Sequence, residues 1–260
     1  VFALLRRHRR DKLRAAPFPD AWRAIALRNV KDVARLSAED QAELFGHTQV
    51  FLAEKVFEGA GGLEITDEIR VTIAVQACIL LLHRETEYYP ELSTVIVYPT
   101  AFRVATKSVD AYGVVTEDKQ VRLCESWLHG PVIIAWDSAL RGGRDPRDGH
   151  NVVIHEFAHQ LDQEDGAADG APDLDDSPTN YRTWARVLGD GFRALQWDTE
   201  HDQKNVMDKY GASSPAEFFA VLTETFFERP KQLRAEHPAL YDQLTKYYHQ
   251  DPAGWGSDRK

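Results

Sequence analysis

The stretch NVVIHEFAHQLDQEDG, residues 151–166, decides how the chain is read. It joins an apolar run, Val152, Val153 and Ile154, to His155 and His159, with Glu156 directly after the first histidine. On a helix of ~3.6 residues per turn, positions four apart fall on nearly one face, so both imidazoles can reach one ion at the ~2.0–2.1 Å of a zinc–nitrogen bond. Glu156 is rotated by about 100° from His155, which sets its carboxylate beside the ion, where a general base for water belongs. Burying His, Glu and His without compensation would be costly, so H-E-x-x-H behind an apolar run is read as a metal site. Zinc is the preferred ion, because two imidazoles, a carboxylate and an open position match its catalytic sites.

A third protein ligand has to come from further along. His201, His237 and His249 lie in polar surroundings that suit surface histidines. The helix-forming stretch PAEFFAVLTETFFE offers Glu217 and Glu224, seven residues apart and so on one face, set among Phe218, Phe219, Val221, Leu222, Phe226 and Phe227. Glu217 also completes a capping box with Ser214, with Pro215 at the first helical position. Spacing does not separate the two glutamates. Asp162, three residues after His159, falls on nearly the same side of the helix and is expected to orient an imidazole through its second nitrogen.

Around this centre the pattern is α+β. Residues from about 19 to 82 have helical periodicity, with Ser37 as the start of one helix and Ile69 to Leu82 as a core helix; Arg70, Thr72 and Gln76 interrupt its apolar run, so it does not read as a membrane span. TVIVYPTAF, GVVTEDKQVRL and PVIIAWDSAL then read as strands of a small mixed sheet between helical layers. The acidic, Gly- and Pro-rich residues 162–180 read as a solvated connector, and helices resume after it. A single domain over 19–260 is expected, helical over about 19–90 and catalytic over about 91–252, preceded by a basic arm at 1–18. GPVIIAW, just before the motif, is read equally as a core strand or as an edge along which an extended peptide lies.

The chain has 260 residues, 43% hydrophobic and 28% charged, with a formal net charge of −10, which speaks against non-specific nucleic-acid binding. Cys78 and Cys124 are the only cysteines, and Cys78 lies in an apolar run, so a buried thiol in a reducing cytoplasm is expected rather than a disulfide. VFALLRRHRRDKLRAA has its apolar residues before its basic cluster, the reverse of a secretory signal; it reads as a mobile basic arm or as the positive flank of a membrane anchor.

VVIHEFAHQLD, GPVIIAW, VIVYPTAF and SPAEFFAVLTETFF together resemble the Mlc titration factor A family of bacterial zinc metallopeptidases, over roughly Leu36 to Pro252. The resemblance implies a zincin-like core similar to the catalytic domain of anthrax lethal factor, and cytoplasmic aminopeptidase activity on small peptides. It implies one zinc ion on His155, His159 and Glu217, with Glu156 as catalytic base and Glu224 outside the ligand set. The family's tyrosine, seven positions before the ligand glutamate, matches Tyr210, a donor to the oxyanion of the transition state. Founding members also bind the glucose-responsive repressor Mlc, so a repressor of that type is an expected partner beside the peptide substrate. The alternative is a regulatory repressor-binding protein whose zinc mainly holds the fold.

Overall fold

The computed structural model describes residues 2–101, 106–109, 115–118, 130–174 and 178–256. Helices α1 (Phe2–Ala15), α2 (Asp20–Asn29) and α3 (Ala38–Glu54) come first, followed by strand β1 (Val56–Gly59) and helix α4 (Asp67–Ile79). The Ser37 hydroxyl accepts the Asp40 N–H at 3.0 Å and starts α3, with Glu39 and Asp40 complementing its positive end. Thr66 does the same for α4 through the Ile69 N–H. Every residue of α4 from Val71 to Ile79 is buried, because α2, α3, α5 (Trp136–Arg144) and α6 (Val152–Asp162) all pack on it. Cys78 is a buried free thiol in this helix, and Cys124 lies outside the described residues.

The sheet departs from expectation. β1, β2 (Thr94–Tyr98) and β5 (Val132–Ala135) form a three-stranded sheet in the order β1-β2-β5, and both pairings are parallel, with Val56 opposite Thr94 and Val95 opposite Val132. The antiparallel pair β3 (Thr106–Val109) and β4 (Val115–Asp118) stands apart as a second, two-stranded sheet. The described strands therefore do not make one mixed sheet. Alternation of apolar residues reports which face is buried, whereas strand direction is set by the connections, and α4 carries the chain from β1 back to start β2 in the same direction.

The run PVIIAWDSAL is likewise split, since the strand stops at Ala135 and α5 begins at Trp136. Gly142 and Gly143 argue against a helix by propensity, but close packing requires them. A Cβ at Gly143 would lie 2.5 Å from the Asn29 carbonyl oxygen, and one at Gly142 would lie 2.9 Å from the Asn151 side chain.

The basic segment read as an arm is the helix α1, docked on α3. Arg10 is buried there, with Nε and Nη2 each 2.9 Å from the Glu54 carboxylate and Nη1 2.7 Å from Glu87. These partners lie more than forty residues away in sequence, which is why periodicity alone left the segment undocked.

After α6, a loop leads to α7 (Pro178–Glu200), then α8 (Pro215–Glu228), α9 (Pro230–Glu236) and α10 (Pro238–Tyr248). All residues of α8 from Phe218 to Glu228 are buried, and its four phenylalanines each contribute roughly 1.5–3 kcal/mol by leaving water. α6 and α8 pack directly on one another, and this contact positions the site.

Candidate metal centre

Helix α6 carries His155, Glu156 and His159, and its start is set by Asn151, whose Oδ1 accepts the N–H groups of Val153 and Ile154 at 3.1 Å. Helix α8 starts at Ser214, whose hydroxyl accepts the Glu217 N–H at 3.2 Å, with Pro215 in its first turn. The capping box predicted at Glu217 is thus present at its backbone, while its carboxylate turns towards α6.

Three ligand atoms meet between the helices. His155 Nε2 lies 3.1 Å from Glu217 Oε2 and 3.2 Å from His159 Nε2, and His159 Nε2 lies 3.4 Å from the same Glu217 oxygen. This is one of two clusters among the described residues whose His and carboxylate atoms could hold a metal ion. His201, His237 and His249 take no part in it.

Glu224 occupies the other end of the same imidazole, with Oε2 3.0 Å from His155 Nδ1. The two nitrogens of one ring point away from each other, so glutamates two turns apart on α8 can both touch His155 without competing for one position. Glu224 Oε1 accepts the backbone N–H of Asn151 at 2.8 Å. Asn151 Nδ2 in turn donates to Gln76 Oε1 at 3.0 Å and to Glu228 Oε1 at 3.2 Å. Asn151 therefore caps the motif helix and holds the carboxylate behind His155. Sequence reasoning passed over it, although an asparagine directly before an apolar helical run is a start signal.

Electrostatics separate the carboxylates. Burial alone would raise Glu217, but hydrogen bonds with His155 and His159 prevail and hold it well below the usual carboxylate range. For His155 burial favours the neutral ring, yet the Glu224 charge and the bonds to Glu217 and Glu224 outweigh it and raise the pKa well above its ordinary value. Burial pushes the Glu156 carboxyl up to about 6, against the opposing charges of His155 and His159. Glu156 is 3% exposed, and its Oε2 has no hydrogen-bond partner among the described residues.

Tyr210 stands in a short 3-10 helix, Lys209–Ala212, with its ring centroid 6.1 Å from that of His155. It is more than half exposed. Asp162 is placed differently from expectation. Its Oδ2 accepts the Gly170 N–H at 3.0 Å, and Oδ1 is unpartnered among the described residues, so it ties down the loop after α6 instead of hydrogen-bonding an imidazole. Burial pushes its carboxyl up to about 6, with the Gly170 N–H opposing. Three residues along a helix place Asp162 on the right side, but the chain turns at Gln163 and brings a backbone donor nearer.

The family model described as glucose-regulated metallo-peptidase M90 matches residues 4–249. The chain belongs to the M90 metallopeptidase family. It is 42% identical over 246 residues to an uncharacterized protein of Synechocystis sp., covering 94% of this chain and 89% of that one. It is 31% identical over 231 residues to Mlc titration factor A of Yersinia pestis, covering 86% and 83% respectively. Membership of M90 implies a bound metal, and His155, His159 and Glu217 are a donor set suited to hold it.

Proposed function

We propose that this M90 protein is a zinc-dependent, zincin-like peptidase of the cytoplasm that hydrolyses peptide bonds, aminopeptidase-like on small peptides, with His155, His159 and Glu217 holding one zinc ion. One observation carries the reading. Ligands bound tetrahedrally at ~2.0–2.1 Å lie roughly 3.4 Å from one another, and the three atoms here are 3.1, 3.2 and 3.4 Å apart. Two imidazole nitrogens and a carboxylate oxygen so placed need a shared cation or proton.

When bound, zinc supplies Lewis acidity towards a peptide carbonyl and towards water. Glu156, buried and with a pKa near neutrality, takes the proton of the attacking water and passes it to the leaving amine. Tyr210 donates its phenolic hydrogen to the oxyanion, and loss of such a donor costs about 2.7–4 kcal/mol elsewhere. Glu224 accepts the His155 Nδ1–H and so keeps Nε2 free to act as a ligand. β5 is the outer strand of its sheet among the described residues, and an extended peptide laid along it gains main-chain hydrogen bonds irrespective of sequence.

A second reading draws on the relative named Mlc titration factor A: a repressor of the Mlc type would bind this chain too, and its zinc would mainly hold the fold. Among the described residues the group has three members, which supports the enzyme, because structural zinc sites are normally closed by a fourth protein ligand. The test is metal analysis of the purified protein, a screen of amino-acid p-nitroanilides, and Glu156→Gln. Turnover that disappears in Glu156→Gln while zinc is kept supports the hydrolase. A protein without zinc, or turnover equal in both forms, refutes it.

A further inference from the structure

Helix α1 presents a face that the metal centre does not use. Leu4 and Leu5, 72% and 60% exposed, are the most exposed large apolar side chains among the described residues, and all of residues 3–9 are exposed. The same helix carries Arg6, Arg7, Arg9, Arg10, Lys12 and Arg14 against the single acid Asp11, in a chain whose net charge is −10. Arg10 is pinned to Glu54 and Glu87, and the backbone at Arg14 lies close over Gly46 of α3. At about 100° per residue, fixing Arg10 inward turns Leu4, Leu5, His8 and Lys12 outward, with Arg7 and Arg9 on the flanks. The apolar turn cannot reach the protein interior without breaking the buried ion pairs.

We propose that this face of α1 docks on an anionic lipid bilayer surface. Two adjacent leucines have no role against a phosphodiester backbone, whereas the boundary between headgroups and acyl chains takes leucine on one level and arginine on the next. A second copy paired symmetrically through this face would bring two basic helices together, and that contact is repulsive. Anionic headgroups attract exposed Arg and Lys, while the acidic remainder of the molecule is repelled, so the protein lies on the membrane with α1 towards it. No helix of the described residues is long and apolar enough to cross a bilayer, and the contact proposed for α1 is one at the surface.

The test is flotation of the 260-residue protein with vesicles of phosphatidylcholine alone, and with a third of the lipid replaced by phosphatidylglycerol. Binding is expected to the anionic vesicles only, with release at ~0.5 M salt. Arg7→Glu with Arg9→Glu should weaken it more than tenfold, since each basic residue near such a surface contributes roughly fivefold. Leu4→Ser with Leu5→Ser should weaken it roughly tenfold, with unchanged melting temperature and unchanged turnover of soluble peptides. Arg182→Glu with Arg186→Glu, the same charge change on the exposed side of α7, should have a smaller effect than the Arg7 and Arg9 pair. Equal binding to both vesicle types, no binding to either, or capture by a DNA duplex with the anionic vesicles left bare overturns the proposal. So does self-association of the chain that Leu4→Ser with Leu5→Ser abolishes.

Discussion

Two clusters among the described residues contain histidine and carboxylates within reach of one ion, and they differ in where the imidazole nitrogens point. At the α6–α8 contact, Nε2 of His155, Nε2 of His159 and Oε2 of Glu217 converge, while Glu224 holds the outer nitrogen of His155. At the α3 cluster, His83 directs Nε2 to Asp40 at 3.1 Å and Nδ1 to Glu43 at 3.4 Å, so both nitrogens are taken by carboxylates. Glu43 additionally accepts the His83 backbone N–H at 2.9 Å and lies 3.2 Å from His47 Nε2. His83 is 39% exposed and offers one imidazole to two carboxylates, whereas the first cluster brings two imidazole nitrogens and one carboxylate oxygen to one point. Two imidazole nitrogens meeting at one carboxylate oxygen, in place of one imidazole between two carboxylates, is what sets the first cluster apart.

The largest effect should come from Glu217→Ala, which removes one of the three proposed ligands. Metal content after dialysis should fall to near zero, with turnover lost well beyond the ~10–100-fold typical of an outer hydrogen-bond partner. A full equivalent of metal in Glu217→Ala, and an empty site in His83→Ala, would reverse the comparison.

Next come the residues behind His155. Glu224→Gln should keep most of the metal at saturating concentration but weaken its affinity or the turnover by ~10–100-fold. Asn151→Ala should do likewise, and should also cost about 0.5–2 kcal/mol from the lost helix cap, visible in urea unfolding. Unchanged metal affinity in both would show that the network serves stability alone.

The pH dependence of metal binding sharpens the same contrast. Against burial, the Glu224 charge and the bonds to Glu217 and Glu224 raise the His155 pKa well above its ordinary value, so protons compete with a metal for this ring. Affinity should therefore fall as pH falls, by about tenfold per pH unit for each proton displaced. A competition titration with a chelating dye between about pH 6 and 8 checks this, and a flat profile would contradict competition by protons.

The smallest effects belong to the α3 cluster. His83→Ala should leave the metal content unchanged and alter stability by no more than about 1 kcal/mol. The hydrogen bond with His47 holds Glu43 down at about 2, with burial opposing and the His83 N–H assisting. A depressed carboxyl adds stability above its unfolded value near 4.5, and that stability is lost as pH falls towards 2. Glu43→Gln should thus lower the melting temperature at neutral pH, with the difference shrinking through that acidic window.

The sequence by itself determined the motif helix, the caps at Ser37 and Ser214, the existence of the buried helix α4, which ends at Ile79 rather than Leu82, and the positions of β2 and the start of β5, because each rests on contacts or periodicities within a few residues. It also paired His155 with His159, since four residues of helix place both side chains on one face. Only the tertiary structure decided the rest. The direction of the strands followed from the crossover through α4, and the helix across Gly142 and Gly143 followed from the closeness of Asn29 and Asn151. α1 was held by Glu54 and Glu87, far along the chain. Glu217 and Glu224 share a face of α8, and no spacing rule tells them apart. Their places at opposite nitrogens of His155 exist only once α6 lies on α8, because the direction in which an imidazole points its lone pair is set by packing across more than sixty residues of chain.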